Sequence, residues 1–524
     1  MRVLVTEPLA EPGIERLREQ ADVDVALGLT PQALLERIPR YDALIVRSGT
    51  KVTRQVIEAG TRLRVIGRAG TGVDNIDLRA ATERGVIVVN APTANCVAAA
   101  EHAIALLLAL ARNIPQADAA MRRGEWDRHR FVGTAITDKT LGLVGFGRVG
   151  GEVARRARGL DMRVIAYDPY TPVERARAMG VELCTLEELL QQADFVSLHV
   201  PLTDETRHLI NAQTLALMKP GSYLINVARG GVVDEGALLA ALKEGPLAGA
   251  ALDVFSEEPP RDNPLIGLPN VITTPHLGAS TAEAQVGVAL EVAEAVLSVL
   301  RGDLVPTVVN APMIPPETLA ELAPYVDLAE RLGRMAIQLV RDTGGPAQAR
   351  IVYKGEPGQG DTRLLRAAVI KGMLELISEQ RINWVNADLA AEQRHLHVIE
   401  ERRPADGPWN DTITVCLENG STCEVEGAIV RHRPHVVRIG DFWIDLELNG
   451  HILLCQNRDR PGMIGQVGTI LGREGVNISF MQVGRDRPRG NALMAIGLDE
   501  PPPERVVAEI AALPNINSAL LVRI

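Results

Sequence analysis

A glycine-rich turn, Gly145-Phe-Gly147-Arg-Val-Gly150, separates the apolar run Leu141–Val144 from a small-residue stretch, Gly151–Gly159. No other segment of this chain restricts its fold as strongly. Gly-x-Gly-x-x-Gly placed after a strand and before a helix is the dinucleotide fingerprint in its structural context. The first glycine allows a tight turn, the second lets backbone approach a pyrophosphate, and the third lets helix pack on strand. The helix then turns unpaired N–H groups and the positive end of its dipole toward the pyrophosphate. A second strand is expected at Arg163–Tyr167, ending on Asp168, 18 residues past Gly150. A carboxylate at that distance accepts from the adenosine ribose 2′-OH. Pro169 and Tyr170 follow, with no adjacent Arg for a 2′-phosphate, so NAD is expected in preference to NADP. Such a turn normally opens a chain, and here about 140 residues precede it.

Those residues read as a parallel α/β unit of their own, with strands at Val3–Val5, Ala43–Val46, Val65–Gly67 and Val86–Asn90 alternating with helices. A buried helix over Asn95–Arg112 leads to the fingerprint unit, whose strands continue at Phe195–His199, Tyr223–Asn226, Gly249–Val254 and Val271–Thr273. A helix over Ser280–Arg301 returns the chain to the first unit. The expected fold class is therefore α/β, with two Rossmann-like or flavodoxin-like parallel-sheet domains, one inserted in the other. Residues 1–95 and 283–310 form the discontinuous substrate-binding domain in this reading, and 96–282 the NAD-binding domain. Repeated prolines and Asn310 in 302–316 mark a boundary. An α+β block over 311–450 follows, with helices at Leu322–Val340 and Thr362–Glu379 and strands such as Thr412–Leu417, Val436–Ile439 and Phe442–Leu446. Residues 451–524 read as a ferredoxin-like βαββαβ unit.

A chain of 524 residues supports about three to five domains. Its net charge of −11 argues against nucleic-acid or anionic-membrane partners, so an anionic substrate must be captured by a local group of arginines. The five cysteines are scattered without metal-ligand spacing, which suits a reducing cytoplasm and implies no metal. Cys416 and Cys423 are placed to face each other across a hairpin and are expected as a reduced pair. The first residues, Met1-Arg-Val-Leu-Val, read as a strand and not as a signal peptide. The longest apolar stretch, Val97–Ala111, is broken by Glu101 and His102 and is too short to span a bilayer.

Oxidising an alcohol requires a base for the hydroxyl proton and a cation to hold a carboxylate and polarise the forming carbonyl. Histidine has a suitable pKa, and a carboxylate partner fixes its tautomer and favours its charged form. Three segments after the fingerprint supply such a set. Arg229 lies in Ile225-Asn-Val-Ala-Arg-Gly-Gly231, Glu258 in Asp253-Val-Phe-Ser-Glu-Glu-Pro-Pro260, and His276 in Thr273-Thr-Pro-His-Leu-Gly-Ala-Ser280. Arg229 and His276 fall just past the carboxyl ends of strands, where open α/β sheets bind ligands. His199 is a rival base on spacing alone, but no acidic motif accompanies it. Glu257 and His102 read as ordinary polar positions.

Together with the fingerprint, these ordered motifs resemble the D-isomer-specific 2-hydroxyacid dehydrogenase family over roughly residues 1–310. The resemblance implies that Arg229 binds the substrate carboxylate and carbonyl, that His276 is the acid/base, and that Glu258, which directly precedes Pro259, pairs with it. It places Thr71, Gly145, Gly147, Arg148, Val149, Gly150, Asp168, Val227, Ala228, Asp253, His276 and Gly278 on the cofactor side. Arg47-Ser-Gly49 and Arg68 follow strands of the first unit. They are candidates to hold substrate phosphate or carboxylate, with solvated loop charges as the equal alternative. In relatives the basic segment Met121–Arg130 reaches a neighbouring subunit, which makes Trp126 either an interface anchor or part of an exposed loop.

The terminal unit, with Asn457-Arg-Asp-Arg-Pro-Gly-Met-Ile-Gly465 and Gly475-Val-Asn-Ile478, resembles an ACT domain, a regulatory module that commonly binds amino acids between paired copies. The Asp-x-Pro-Gly turn opens a helix whose free N–H groups suit a carboxylate, and the resemblance makes Asn457, Asp459 and Asn477 effector-contact candidates; a pairing module without ligand is the other reading. The middle block resembles the intervening domain of long family members. Its run Arg431-His-Arg-Pro-His-Val-Val-Arg438 is read as a solvated face, with anion binding as the alternative. The combined order of units implies 3-phosphoglycerate as substrate, serine as effector, and a homodimer or homotetramer. Two other readings stay open: a glycerate- or hydroxypyruvate-type 2-hydroxyacid dehydrogenase, and a non-enzymatic NAD-sensing scaffold.

Overall fold

The computed structural model describes residues 1–311, 316–340, 347–405, 408–418 and 422–524. Five short strands, β1 (Arg2–Val5), β2 (Asp22–Val25), β3 (Ala43–Val46), β4 (Val65–Arg68) and β5 (Ile87–Asn90), form a parallel sheet in the order β2-β1-β3-β4-β5. The inner strands are continuous apolar runs because helices cover both faces. Edge strand β2, Asp-Val-Asp-Val, is only half buried and has no apolar run to announce it. The proline-containing segment after Gly302 does not leave this sheet at once. Val308 bridges Val89 in antiparallel sense, and Asn310 accepts from Val88 N and donates to Val86 O.

The second sheet contains β6 (Thr140–Val144), β7 (Arg163–Tyr167), β8 (Glu182–Leu183), β9 (Phe195–Leu198), β10 (Ser222–Asn226), β11 (Leu247–Leu252) and β12 (Val271–Thr273). Its order, β12-β11-β10-β9-β6-β7-β8, is parallel throughout and reverses between β6 and β9. This is the doubly wound nucleotide-binding arrangement, with its ligand crevice at the reversal. Helix Cys96–Ala111 is apolar on nearly every side because it lies against this sheet and against helix Arg148–Gly159. Leu107 and Leu110 share a cluster with Leu141, Phe195 and Ile225. Helix Ala282–Arg301 instead packs on the first sheet, Val292 and Val296 meeting Ile45 and Val65. Glu291 ties the two crossings together by accepting from Thr93 N, Thr93 Oγ1 and Ala94 N.

A mixed sheet follows: β13 (Gln348–Lys354), β14 (His397–Arg403), β15 (Thr412–Glu418), β16 (Thr422–Val430), β17 (Arg433–Ile439) and β18 (Phe442–Glu447), ordered β14-β13-β15-β16-β17-β18. The last sheet is antiparallel, with β19 (His451–Arg458), β20 (Ile478–Arg485), β21 (Asn491–Leu498) and β22 (Ile516–Arg523) in the order β20-β21-β19-β22. One face carries helices Met463–Arg473 and Glu504–Ala511. The other joins the middle block, Ile452, Leu454, Leu493, Ala495 and Val522 sharing one buried cluster with Leu332 and Met335 of helix Pro316–Leu339.

Cys416 and Cys423 are both free thiols, but they do not face each other. The register opposes Cys416 to Glu424 and Cys423 to Leu417, so the two thiols fall on opposite faces of the hairpin. Both are pushed up by burial, Cys416 to about 11 and Cys423 to about 12. Among the described residues, no single helix is long and apolar enough to cross a membrane.

Candidate active site

The dinucleotide turn lies at the carboxyl end of β6. Gly145 takes φ +97°, and a Cβ there would fall 2.6 Å from the His199 carbonyl oxygen. Gly150 approaches the Gly145 carbonyl too closely for any side chain. Gly147 faces open space, and helix Arg148–Gly159 begins without a side-chain cap, leaving the N–H groups of its first turn for an anion. These residues fit a pyrophosphate. Asp168 braces the same turn: Oδ2 accepts from Phe146 N at 2.8 Å, and Oδ1 accepts from Tyr170 N and Thr171 N at 2.9 and 3.1 Å. Arg148 is exposed, whereas Val149 packs against the core beneath.

The next strand ends supply the remaining groups. After β10, buried Asn226 holds the loop by accepting from Ala228 N and donating to Arg229 O, both at 3.0 Å. Arg229 donates through Nε to Asp74 Oδ2 at 3.0 Å, joining the first unit to the second. Gly230 lies against the carbonyl of Phe255 with no room for a Cβ, which seats the Arg229 loop on the segment carrying Glu258.

After β12, the His276 ring meets Glu258, Nδ1 to Oε2 at 2.7 Å, while Glu258 Oε1 accepts from Phe255 N at 3.1 Å. Burial pushes the Glu258 carboxyl up, but the hydrogen bond and charge of His276, the Phe255 N–H and the nearby Arg229 outweigh it and leave it below its ordinary value. An ionised Glu258 accepts the Nδ1 proton of His276 and so leaves Nε2 as the ring nitrogen available for proton exchange. Glu257 has none of these contacts.

Buried Asp253 shapes the His276 loop. Its main-chain oxygen accepts from His276 N at 2.9 Å, Oδ1 from Leu277 N at 2.7 Å, and Oδ2 from Gly278 N at 2.9 Å. A Cβ on Gly278 would lie 3.0 Å from Val227, so these two cofactor-side candidates adjoin. His199 is held apart from this group. Enclosure of its ring pushes its pKa down to about 4, and its Nε2 lies 2.9 Å from Ser197 Oγ. It is neutral with no carboxylate beside it, unsuited to the role His276 can take.

The first unit brings cations to the same cleft. Glu7, after β1, accepts from Arg47 N, Gly49 N and Thr50 N at 2.8, 3.0 and 2.8 Å. Asn75 Nδ2 donates to the carbonyls of Arg47 and Thr50. The loop is thereby fixed at the strand-order reversal between β1 and β3, with Ser48 and Gly49 exposed at its tip. Arg68 is pushed down to about 10 by burial and then by the charges of Arg229 and Arg47. Three guanidiniums thus share one field. Arg47 and Arg68 line a cavity of about 180 Å³ with Asn95 and Gln285. Thr71 Oγ1 lies nearby, donating to Asn95 Oδ1 at 3.0 Å.

The other candidates are dispersed. Trp126 is 73% exposed, with Arg128 stacked on its ring and Val132 exposed close by in sequence. In the terminal unit Asn457 is buried and donates to Arg458 O, while its Oδ1 has no partner among the described residues. Asp459 accepts from Arg489 N and Arg485, and Asn477 donates to Asp499. In the run 431–438, residues 431–433 are exposed, and its charges are paired: Arg433 with Glu447, His435 with Asp445, and Arg438 with Glu424 and Glu426. Sequence reasoning missed Glu7, Asp74 and Thr274, and read His102 as an ordinary polar position. Their partners lie 21 to 172 residues away, and no local spacing reveals them.

Fold and cleft define the class, a D-isomer-specific 2-hydroxyacid dehydrogenase. Residues 104–278 match the NAD-binding domain of that family, 321–440 match the D-3-phosphoglycerate dehydrogenase intervening domain, and 451–515 match the ACT domain. The chain is 51% identical to D-3-phosphoglycerate dehydrogenase 2, chloroplastic, of Arabidopsis thaliana, covering all of this chain and 87% of that one. It is 47% identical to D-3-phosphoglycerate dehydrogenase of Methanocaldococcus jannaschii, with complete coverage of both. Among solved structures, the TT0316 protein of Thermus thermophilus matches at 40% identity and a TM-score of 0.55, over 59% of this chain and 100% of that one. D-lactate dehydrogenase of Aquifex aeolicus, complexed with NAD and lactic acid, matches at 28% identity and a TM-score of 0.53, over 58% and 96%. The chain belongs to the D-3-phosphoglycerate dehydrogenase family, in the long form with intervening and ACT domains.

Proposed function

We propose that this protein catalyses the NAD-dependent oxidation of 3-phosphoglycerate to 3-phosphohydroxypyruvate, the first step of the phosphorylated route to L-serine, under feedback control by serine. The observation that carries the reading is the His276–Glu258 pair, 2.7 Å apart, with Arg229 of the same unit near Glu258 and Arg68 and Arg47 of the first unit sharing the field of Arg229. NAD, when bound, supplies the hydride acceptor. His276 Nε2 takes the C2 hydroxyl proton, and Glu258 stabilises the imidazolium that results. Arg229 holds the carboxylate and the oxygen that becomes the carbonyl, and Arg47 and Arg68 bind negative charge on the rest of the substrate. The glycine turn and Asp168 hold the cofactor. Residues 1–95 with 283–310 act as the substrate-binding domain and 96–282 as the NAD-binding domain, with regulatory units at 311–450 and 451–524.

The exposed Trp126 segment and the terminal unit support a homodimer or homotetramer, to be checked by light scattering on eluted peaks; a monomer at working concentration would remove that part of the reading. Five free cysteines favour a reducing compartment such as the cytoplasm. The test is NAD reduction on 3-phosphoglycerate, glycerate and lactate, each with and without serine. A preference for 3-phosphoglycerate with serine inhibition is expected. A preference for glycerate would move the assignment to that type of dehydrogenase, and NAD binding without turnover would favour a sensing scaffold.

A further inference from the structure

His276 takes φ +54°, the left-handed region that a non-glycine residue rarely occupies unless its surroundings enforce it. Enforcement comes from one residue. Asp253 gathers His276 N through its carbonyl and the next two N–H groups through its two carboxylate oxygens. Its side chain is fully buried, and a buried carboxylate holds such a geometry only while its charge is compensated. Leu277 and Gly278 supply two neutral donors. Two more converge on Oδ1: Thr274 Oγ1 at 2.5 Å and His102 Nε2 at 3.2 Å, which itself lies 3.2 Å from Thr274 Oγ1. Burial pushes the Asp253 carboxyl up, and the hydrogen bonds of His102, Thr274 and Leu277 outweigh it.

His102 belongs to helix Cys96–Ala111, whose other inward side chains are apolar, and its side chain is 20% exposed. Among these donors it alone comes from outside the loop. Thr274, Leu277 and Gly278 all travel with β12 and tie the loop to the end of β11 through Asp253, whereas the tie from these strand ends to the buried helix comes from His102. The geometry points to His102 as a positioning residue: by donating Nε2–H to Asp253, it locks the His276 loop to the buried helix and sets the direction of the proton-accepting imidazole. Misplacing an acid/base by about 1 Å costs on the order of 100-fold in rate without touching ground-state binding.

The inference rests on His276 being the proton acceptor, so its experiment has a structural arm and a kinetic arm. His102→Leu keeps volume and removes the donor; His102→Gln returns an N–H near the position of Nε2. With the substrate that the wild type prefers, His102→Leu is expected to lower kcat by about tenfold or more, with KM and the calorimetric Kd for NAD within about twofold. A larger primary isotope effect from C2-deuterated substrate is expected, because the chemical step becomes slower than product release. His102→Gln is expected to recover most of kcat. A crystal structure of His102→Leu is expected to show residues 275–278 displaced and the His276–Glu258 hydrogen bond lost.

Wild-type kcat and an unmoved loop in His102→Leu would overturn the proposal, as would equal impairment of both variants. If wild type turns over no 2-hydroxy acid, the functional reading fails while the crystal structure still decides the positioning claim. Should His102→Leu not fold, His102→Asn answers the same question, because its shorter side chain stays polar but withdraws the N–H from Asp253 Oδ1. Loss of kcat in His102→Asn that His102→Gln does not share supports the role; wild-type rates in both variants, or equal loss in both, reject it.

Discussion

At the scale of single residues, the proposed site divides into groups assigned to the chemistry and groups assigned to the cofactor. His276→Ala removes the proposed proton acceptor and leaves Gly145, Gly147 and Gly150 untouched. It is expected to lower kcat by about 10²–10⁴-fold with NAD affinity unchanged by calorimetry. Near-normal turnover would remove His276 from the mechanism. Asp168 has a double part, because its oxygens also brace Phe146, Tyr170 and Thr171. Asn keeps one of the two acceptor oxygens, sets an NH2 where the other stood and deletes the charge, so for Asp168→Asn the ratio of NAD to NADP use, not the absolute rate, reports the ribose contact. A charged hydrogen bond is worth about 1.5–3 kcal/mol, and the NAD-over-NADP preference in kcat/KM is expected to shrink by at least about tenfold; an unchanged ratio would contradict the role. Arg229, Glu258, His276 and Asp168 were legible because each stands in a local motif. Asp253 was legible only through resemblance, and its double use as loop scaffold was not. Glu7 and Asp74 were invisible, since their meaning comes from partners brought near by the fold.

At the scale of elements, the strand-end loops work only if they are held, and the Arg47 loop is held by Glu7. Burial pushes the Glu7 carboxyl up, but the N–H groups of Thr50, Arg47 and Gly49 outweigh it and leave it below the ordinary 4.5. A lowered folded-state value means that the carboxylate stabilises the fold above about pH 4.5, and that this contribution disappears as pH falls through the lowered value. Glu7→Gln should therefore show a smaller drop in Tm between about pH 5 and 3 than wild type, measured by circular dichroism, and a raised KM for substrate with NAD affinity unchanged. Parallel acid curves for both proteins would show that Glu7 does not anchor the loop. The inner strands β1, β3, β4, β6 and β7 were readable from short apolar runs, as were both long helices from their length. Strands β2 and β8 lie at sheet edges and carry polar or short sequences, so burial could not write a pattern into them. Helix Arg148–Gly159 begins inside the fingerprint itself, three residues before the small-residue stretch Gly151–Gly159 in which the sequence places it.

At the scale of the whole molecule, the intervening and ACT units share one buried core. The βαββαβ order of the terminal unit was readable from alternating runs and its Pro-Gly turn, yet that reading treats it as self-contained. The structure places one face of its sheet on helix Pro316–Leu339, with Leu454 and Val522 in the same cluster as Leu332, and Gln338 exchanging two hydrogen bonds with the backbone of Arg523. Sequence patterns record that a residue is buried, not which neighbour buries it, so a core shared between units looks like two cores. Cutting the chain near residue 450 would therefore leave the middle block with an exposed apolar face. A point substitution tests the same claim without removing a unit. Leu454→Ala leaves a cavity between the two and should cost about 2–5 kcal/mol. Because the core is common, that cost should appear as one cooperative calorimetric transition, covering both regulatory units, moving to lower temperature. The transition of the NAD-binding half and turnover without serine should stay as in wild type. If the terminal unit melts early while the middle block keeps its own transition, the two cores are separate, and an effector signal arriving at the ACT domain has no rigid path to the rest of the chain.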